Sequence, residues 1–543
     1  MINSNWTERR LLAVAVAAIF VVAVLANLSM SLLHGHLAMV PIYDDVNYMA
    51  DALVRLRFDA GSGLRSLVRS FAADPPHAPI TTLTGILGFG LLGPEPIAAY
   101  IANLWVLLVF LVFVTFMTRP LESWIDRALI IATFLFVPVV HAMVMEFRPD
   151  LPGGLFLGIA AYLICQTDIV AASHRRRVGL ALLCLAATII KPTAFIIVVP
   201  GLALAALVTL FGQLVLDRGN KRATFAAFGE VLGVYALAMV PFVILWGRLT
   251  ADYVYAVLFT DADVWATAGD RAFHLLYHST GVGGVLGLGK FFRNGMILIL
   301  IDLALTVWRR APRDWRTAAY YFVVGAVYVA MAMSGEKTPY QGSFFYIPFV
   351  IAFTAAAVRI ILVARESVLD GAVRPALIAI LALYAWQYPL ASYYYGAMPD
   401  SIRLPPIVQT ITERLVAVKA ANLDNPACSD RPLTVIFTDS FPIPTDLVRF
   451  EAAKVGVHVV VSTTFMTRSF EEMKGNADRG DLILIADPTH RSTSRWLPGL
   501  AFNPELFAFL DAQKGWARFD VGGADGKPQW LFVAPHCNPP GAF

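Results

Sequence analysis

Charged residues are scarce in this 543-residue sequence. Asp, Glu, Lys and Arg make up 15% of the chain, and hydrophobic residues make up 58%. Ordinary soluble domains have about 25% charged and about 45–50% apolar residues. The mean hydropathy of the chain is +0.65. No soluble core needs so much apolar surface, so the sequence predicts a polytopic α-helical membrane protein.

Cysteine is also scarce, with four residues in the whole chain. Cys165 and Cys184 lie inside apolar segments and are expected to be inert packing residues. Cys428 and Cys537 lie in the polar tail, and no Cys-x-x-Cys or Cys/His ligand spacing occurs, so we predict no structural zinc site. The formal net charge of +3 is small, and we predict no nucleic-acid partner.

About eleven segments are long and apolar enough to span a bilayer, which takes about 20 residues each. The predicted spans are residues 11–33, 97–117, 128–145, 152–168, 178–190, 193–216, 223–246, 291–308, 317–334, 345–364 and 375–392. The shorter apolar segment 80–92 lies between proline-rich stretches. We interpret it as a helix that lies against the outer face or dips into it.

Basic residues recur in alternate loops, as expected for loops on the cytoplasmic side. Arg9 and Arg10 precede the first span, which predicts a cytoplasmic N-terminus. With eleven spans, the other basic loops fall on that same side. The segments 34–96 and 393–543 then lie outside the cytoplasm, in the periplasm if this is a bacterial inner-membrane protein.

Residues 393–543 have a different pattern from the apolar segments of residues 1–392. Short β-branched or aliphatic runs at 433–437, 458–461 and 482–486 alternate with stretches of helical character. This alternation predicts a soluble α/β domain with a partly parallel sheet. Segments 516–521 and 529–533 are predicted edge strands. Cys428 and Cys537 flank the unit, and we expect them to pair in an oxidising compartment.

Two adjacent carboxylates, Asp44 and Asp45, follow the first span, and Tyr43 and Tyr48 flank them. Carboxylates near a bilayer are costly, and a functional role is the default hypothesis for them. The alternative is that they only cap the start of a helix, because Asp is a favoured capping residue. We treat this pair as the candidate centre of a site at the outer face.

Three cations at outer-loop positions are candidates for the same site, namely Arg148, Lys191 and Lys337. Such side chains can hold a phosphate leaving group while a carboxylate accepts a proton from an attacking hydroxyl or amine. Alternatively, each could extend to the lipid headgroups as an anchor.

His77 and Asp74 are further candidates in the first outer loop. His77 could cap the short helix that follows it or contact a phosphate. Asp74 could be another acidic residue of the site. Asp44, Asp45 and Asp74 could together hold a divalent cation, although adjacent carboxylates specify a metal weakly, and we predict no definite cofactor.

Four phrases, taken in order and on one side of the membrane, resemble motifs of the GT-C glycosyltransferases. They are most similar to the branch containing aminoarabinose-lipid A transferases and protein O-mannosyltransferases. The phrases are Tyr43-Asp44-Asp45-Val46-Asn47-Tyr48, His77-Ala78-Pro79-Ile80, Ile189-Ile190-Lys191-Pro192-Thr193 and Lys337-Thr338-Pro339-Tyr340. Two positions depart from the pattern: Ala78 stands where Pro is usual, and Asp45 stands where many relatives have Glu.

The resemblance implies a sugar transferase that uses a polyprenyl-phosphate-linked donor outside the cytoplasm, usually with inversion. Asp44 would be the base and Asp45 its acidic companion. Lys191, Arg148, Lys337 and His77 would hold the donor phosphate, and Tyr43, Tyr48, Asp74 and Tyr340 would contact substrates. The acceptor, a lipid, a polysaccharide or a protein, remains open.

Two alternative functions remain open at this point. The first is a membrane transporter or flippase with a soluble periplasmic cap, for which Asp302 near the middle of a span is the main support. The second is a polysaccharide polymerase that works at the same face.

Overall fold

A computed structural model describes residues 2–41, 43–137, 140, 144–217, 220–262, 266–280, 287–309, 315–365, 370–392, 405–438, 445–486, 497–522 and 529–538. Side chains are described for these residues except 2–6, 34, 43, 309, 370 and 384–392.

The first part of the chain is a series of helices that we number in chain order. They are α1 (Ile2–His34), α2 (Tyr43–Val54), α3 (Leu64–Ala73), α4 (Pro79–Leu92), α5 (Pro96–Asn103), α6 (Trp105–Met117), α7 (Trp124–Leu135), α8 (Asp150–Gln166), α9 (His174–Ile190), α10 (Phe195–Phe211), α11 (Lys221–Tyr255), α12 (Arg271–Thr280), α13 (Lys290–Arg309), α14 (Trp315–Met333), α15 (Ser343–Arg365) and α16 (Asp370–Ser392).

Every predicted span overlaps one of these helices, or the continuous pair α5–α6. Within the described residues, seven helices are long and apolar enough to cross a membrane, by length and composition. Helix α4 has 14 residues. At 1.5 Å per residue it is shorter than the roughly 30 Å hydrocarbon core, in line with its exclusion from the predicted spans.

Helix α15 lies at the centre of the bundle, and most of its side chains are buried. It packs against α8, which has small residues at the contact. A β-carbon on Gly154 would lie 2.0 Å from the Ser343 carbonyl oxygen, and one on Gly158 would lie 3.3 Å from the Pro348 backbone. Small residues allow helix backbones in a membrane protein to approach this closely. This packing fixes the two loops that precede α8 and α15.

The C-terminal part is a five-stranded sheet with two helices packed on each face. The helices are α17 (Pro406–Ala421), α18 (Thr445–Lys454), α19 (Phe470–Ala477) and α20 (Asn503–Ala512). The strands are β1 (Leu433–Phe437), β2 (Val459–Thr463), β3 (Leu482–Ala486), β4 (Ala517–Asp520) and β5 (Gln529–Val533).

The strand order is β2-β1-β3-β5-β4. Strand β1 pairs in parallel with β2 and β3, whereas β5 pairs antiparallel with β3 and β4. The partly parallel sheet predicted from the sequence is therefore confirmed. The prediction that segment 529–533 is an edge strand was wrong, because β5 lies inside the sheet. A disulfide joins Cys428 to Cys537, as predicted.

The C-terminal part packs on helices α2 and α4 through helix α18. Arg449 of α18 lies 3.8 Å from Asp51 of α2, and the Phe450 ring contacts the Phe89 ring of α4 with centroids 5.8 Å apart. The boundary proposed at residues 392–393 coincides with the end of α16, but residues 393–404 lie outside the described residues. The division into two domains remains a prediction.

Candidate active site

Asp45 lies in the first turn of α2, near the positive end of the helix dipole, and its side chain is fully buried. The Tyr100 hydroxyl and the Phe147 N–H donate to its Oδ2 atom at 2.9 and 3.1 Å. Arg148 Nε donates to Oδ1 at 2.9 Å, and His36 Nδ1 lies 2.9 Å from Oδ2. Burial opposes the charge of Asp45, but His36, Arg148 and Phe147 outweigh it and hold the pKa well below its usual range. Asp45 is thus charged, and both of its carboxylate oxygens already have hydrogen-bond partners.

Asp44 is the more accessible of the two carboxylates. Its side chain is 46% exposed, and its Oδ2 accepts one hydrogen bond of 3.2 Å from Arg148 Nη1. An accessible carboxylate can reach an incoming group, whereas a saturated one cannot. Helix capping alone therefore does not account for the pair, because both side chains bind Arg148, more than 100 residues away along the chain.

Tyr340 joins the two cations of the site. The Arg148 guanidinium lies 4.1 Å from the centroid of the Tyr340 ring, and the Lys191 ammonium lies 5.8 Å from it. Lys191 Nζ also donates to the buried Asp150 carboxylate at 2.7 Å. Burial disfavours the charge of Lys191, but Asp150 outweighs it and raises the pKa, so this side chain stays charged. The structure therefore brings Arg148, Lys191 and Tyr340 into one group with Asp44 and Asp45.

A cavity of about 250 Å³ opens beside Lys191. Its polar wall contains Lys191, Tyr253, Ser334, Glu336 and Gln341. The rest of the wall is mainly apolar and comes from the start of α10, the end of α11 with the segment that follows it, and the loop and first turn that lead into α15: Thr193, Ala194, Ile196, Ile197, Val254, Val257, Leu258, Ala262, Ala266, Gly335 and Phe344. A charged end against an apolar wall suits an amphiphilic ligand with an anionic head.

His77 packs against Tyr48 and against Tyr253. The Tyr48 hydroxyl lies 2.9 Å from His77 Nδ1, and the His77 ring contacts Tyr253 with centroids 5.4 Å apart. Burial, with Lys191 as the next contribution, lowers the pKa of His77 to about 4, so the ring is neutral at pH 7. Its Nε2 atom has no hydrogen-bond partner among the described residues.

Lys337 is held away from this group. Its ammonium donates to the carbonyl oxygens of Met331, Ala332 and Ser334 at 2.5, 3.1 and 2.6 Å, and the side chain is 4% exposed. It caps the C-terminal end of α14, where cations are favourable. The expectation that Lys337 holds the donor phosphate is not supported by this position, because its three N–H groups are already used.

Asp74 is also directed elsewhere, with its carboxylate 89% exposed and 3.8 Å from Arg55. The Tyr43 side chain lies outside the described residues. In the described part of the chain, the one group of three close His, Cys, Asp or Glu ligand atoms is Cys428, His536 and Cys537. Its two sulfur atoms form the disulfide. Asp44, Asp45 and Asp74 form no such cluster, so these residues do not fit the suggested divalent cation.

Sequence reasoning did not assign Asp150, Glu336 or Tyr100 to the site. Asp150 follows Arg148 by two residues and Glu336 immediately precedes Lys337, so both stood next to a candidate cation. Tyr100 lies inside an apolar span, and only the folded structure shows that its hydroxyl meets Asp45.

No protein-family model matches the chain, and no curated protein matches it by sequence. Solved structures do resemble it. ArnT from Cupriavidus metallidurans, solved bound to undecaprenyl phosphate, aligns with a TM-score of 0.53 and 13% identity over 97% of this chain and 99% of that chain.

The archaeal oligosaccharyltransferase AglB from Archaeoglobus fulgidus, solved with an inhibitory peptide and a dolichol-phosphate, aligns with a TM-score of 0.51. It is 10% identical over 95% of this chain and 74% of that chain. At these identities the likeness shows the fold alone. The fold expected from the four motifs, a polytopic helical membrane protein with a C-terminal α/β region, is thereby confirmed.

Proposed function

We propose that this protein is a membrane glycosyltransferase that moves a sugar from a polyprenyl-phosphate carrier to an acceptor at the extracytoplasmic face. The observation that carries the proposal is the group of Arg148 and Lys191 around Tyr340, with the accessible Asp44 on one side. The cavity beside Lys191 has a mainly apolar wall and offers room for the first isoprene units of a prenyl chain. The solved relatives with this fold were bound to undecaprenyl phosphate and dolichol-phosphate, which adds support.

Asp44 acts as the general base in this proposal. It accepts the proton of the attacking acceptor hydroxyl or amine, while the new bond forms at the anomeric carbon of the sugar. The bond from that carbon to the phosphate oxygen breaks, and its electron pair stays on the phosphate. Attack from the face opposite the leaving phosphate would invert the anomeric centre.

Lys191 and Arg148 stabilise the leaving phosphate. Both are charged and largely buried side chains, and a buried cation interacts strongly with the negative charge that develops on the phosphate. Lys191 already binds the Asp150 carboxylate at 2.7 Å, so a phosphate oxygen would share this ammonium with Asp150. His77 Nε2, which lacks a partner among the described residues, is available for a further hydrogen bond.

Asp45 is a positioning residue in this scheme and does not touch the acceptor. Its bond to Arg148 Nε sets the guanidinium over the Tyr340 ring. This differs from a catalytic role for both aspartates, which the adjacency of the pair had suggested. Tyr48 and Tyr340 contribute by holding His77 and the two cations.

The transport alternative gains no support from Asp302. Arg359 Nε donates to Asp302 Oδ1 at 2.8 Å, and the Tyr321 hydroxyl donates to Oδ2 at 2.8 Å. A buried carboxylate with both oxygens bound serves the packing of α13, α14 and α15. A polymerase would use the same outer-face chemistry and differs from this proposal only in its acceptor.

The test uses the full chain in lipid nanodiscs with undecaprenyl-phosphate-linked hexoses, hexosamines and pentoses as donors and water as the stand-in acceptor, and measures release of the free sugar. Asp44→Asn should lower the release rate about 100-fold or more, the usual scale for a lost general base, without lowering the thermal midpoint. Asp45→Asn should lower both, because it leaves Arg148 partly unpaired in a buried place.

Asp252→Asn is the matched control, because this exposed aspartate lies on α11 and pairs with the exposed Arg248 on the surface. Its release rate should equal that of the wild type. Wild-type release by Asp44→Asn would contradict the assignment of the base, and no release by the wild type with any donor would contradict the proposed reaction.

A further inference from the structure

Glu336 lies in the wall of the cavity. The proposed transfer reaction assigns no role to this acidic residue. It lies in the loop between α14 and α15, and its Oε1 atom accepts a hydrogen bond of 2.7 Å from Gln341 Nε2. Both residues line the cavity together with Lys191. The hydrogen bond holds the carboxylate at the polar end, which is the end that would receive the phosphate.

The charges of this end do not favour a strongly anionic ligand. Arg148 is shared between Asp44 and Asp45, and Lys191 is bound to Asp150. Glu336 therefore adds a negative charge to a site whose two cations already have carboxylate partners. Burial raises the pKa of Glu336 even though Lys191 opposes this, and Asp150 and Asp44 raise it further. A negative charge on Glu336 is thus already costly before any ligand enters.

The two forms of the carrier differ in charge at this position. The donor is a phosphodiester with one negative charge, because the sugar occupies the second ester bond. When the bond from the anomeric carbon to oxygen breaks, the carrier keeps the electron pair as a phosphomonoester. A phosphomonoester has a second pKa near 6 and bears about −1.5 to −2 charges at pH 7. The reaction therefore adds negative charge next to Glu336.

We propose that Glu336 discriminates between the sugar-linked carrier and the spent carrier, and that its carboxylate promotes release of the spent phosphomonoester. This inference rests on the proposed function. The repulsion acts on both forms, but it is greater for the monoester because its charge is larger. Coulomb interactions are stronger between partly buried charges than in bulk water, so this difference in charge changes the affinity for one form relative to the other.

The test measures binding of two probes to the full chain in nanodiscs of phosphatidylcholine. The probes are undecaprenyl phosphate, a monoester, and its methyl ester, a phosphodiester that carries no sugar. Glu336→Gln keeps the shape and the bond to Gln341 while it removes the charge. We expect this variant to bind undecaprenyl phosphate about fivefold more tightly or better, with a smaller gain of about two- to threefold for the methyl ester, because Coulomb repulsion is proportional to the ligand's charge.

Glu122→Gln is the matched control, since Glu122 is exposed and lies outside the cavity lining. Its affinities should equal those of the wild type. Glu336→Ala serves as the second charge-removing variant, and the thermal midpoint of each variant shows that it is folded.

Equal changes for both probes, or none, would overturn the role of Glu336 and leave the proposed function standing. Weaker monoester binding in Glu336→Gln would also overturn it, because the carboxylate would then favour the monoester. Absence of binding of both probes to the wild type would instead contradict the proposed function itself, and the inference with it.

Discussion

An ammonium group has three hydrogens, and their existing partners decide what else it can hold. Lys337 gives all three to carbonyl oxygens at the end of α14. Lys191 gives one to Asp150, and it lines the cavity. The two lysines look alike in the sequence, each before or within a Pro-containing loop, but only Lys191 has hydrogens left for a phosphate.

This difference predicts opposite outcomes for Lys191→Met and Lys337→Met. The first should weaken undecaprenyl phosphate binding about tenfold or more, because a charge-assisted hydrogen bond contributes about 1.5–3 kcal/mol. The second should lower the thermal midpoint and leave that affinity within about twofold, because the lost contacts are helix-capping bonds. Binding measurements with both variants decide this. Equal loss of affinity in both would contradict the separation of their roles.

Sequence reasoning identified these residues but could not predict the different role of each. The Asp44–Asp45 pair, Lys191 and Arg148 stood out because polar residues are rare at span ends. Which aspartate is buried depends on where Tyr100 and the Phe147 amide lie, and those positions come from packing distant in sequence.

At the scale of single elements, helix α18 packs between the C-terminal sheet and helix α2, which carries Asp44 and Asp45. Asp446 lies in its first turn and has Arg449, Asp44 and Asp51 as charged neighbours. Burial, followed by the charges of Asp44 and Asp51 against that of Arg449, raises the pKa of Asp446 to about 6. In the unfolded chain this pKa would be near 3.9.

This shift predicts a pH-dependent contact between α18 and α2. A carboxyl whose pKa is raised by folding contributes stability below about pH 4, and this contribution is lost as the pH rises through about 6. Asp446→Asn should therefore raise the free energy of unfolding at pH 7.5 by about 1–3 kcal/mol and flatten the dependence between pH 4 and 6. Thermal unfolding of the wild type and the variant from about pH 4 to 7.5 measures both effects. A lower midpoint at pH 7.5 would contradict this picture.

Elements were the most predictable level of the structure. Long apolar runs located the spans because a helix must cover the hydrocarbon core, and β-branched runs located β1, β2 and β3. The position of β5 inside the sheet was not predictable, because the sequence of a five-residue strand does not indicate which strands it pairs with.

At the scale of the whole molecule, the account depends on which side of the membrane each loop lies. The basic loops predict that Arg175 faces the cytoplasm and that the C-terminal sheet lies outside. Lys514→Cys should react with a membrane-impermeant maleimide in intact cells, since Lys514 is exposed. Arg175→Cys should react only after permeabilisation. The native cysteines do not interfere, because two are buried and two form the disulfide. The reverse labelling pattern would place the site on the cytoplasmic side and contradict the predicted topology.

The most direct test of the central claim is a cryo-EM structure of the full chain with added undecaprenyl phosphate. We predict phosphate density within about 3 Å of Lys191 Nζ, on the side of Arg148 and Tyr340, with the first isoprene units in the cavity between Ile196 and Val257. Lipid density at another place, with Lys191 still bound to Asp150 and the cavity free of lipid, would contradict the assignment of these residues as a polyprenyl-phosphate site.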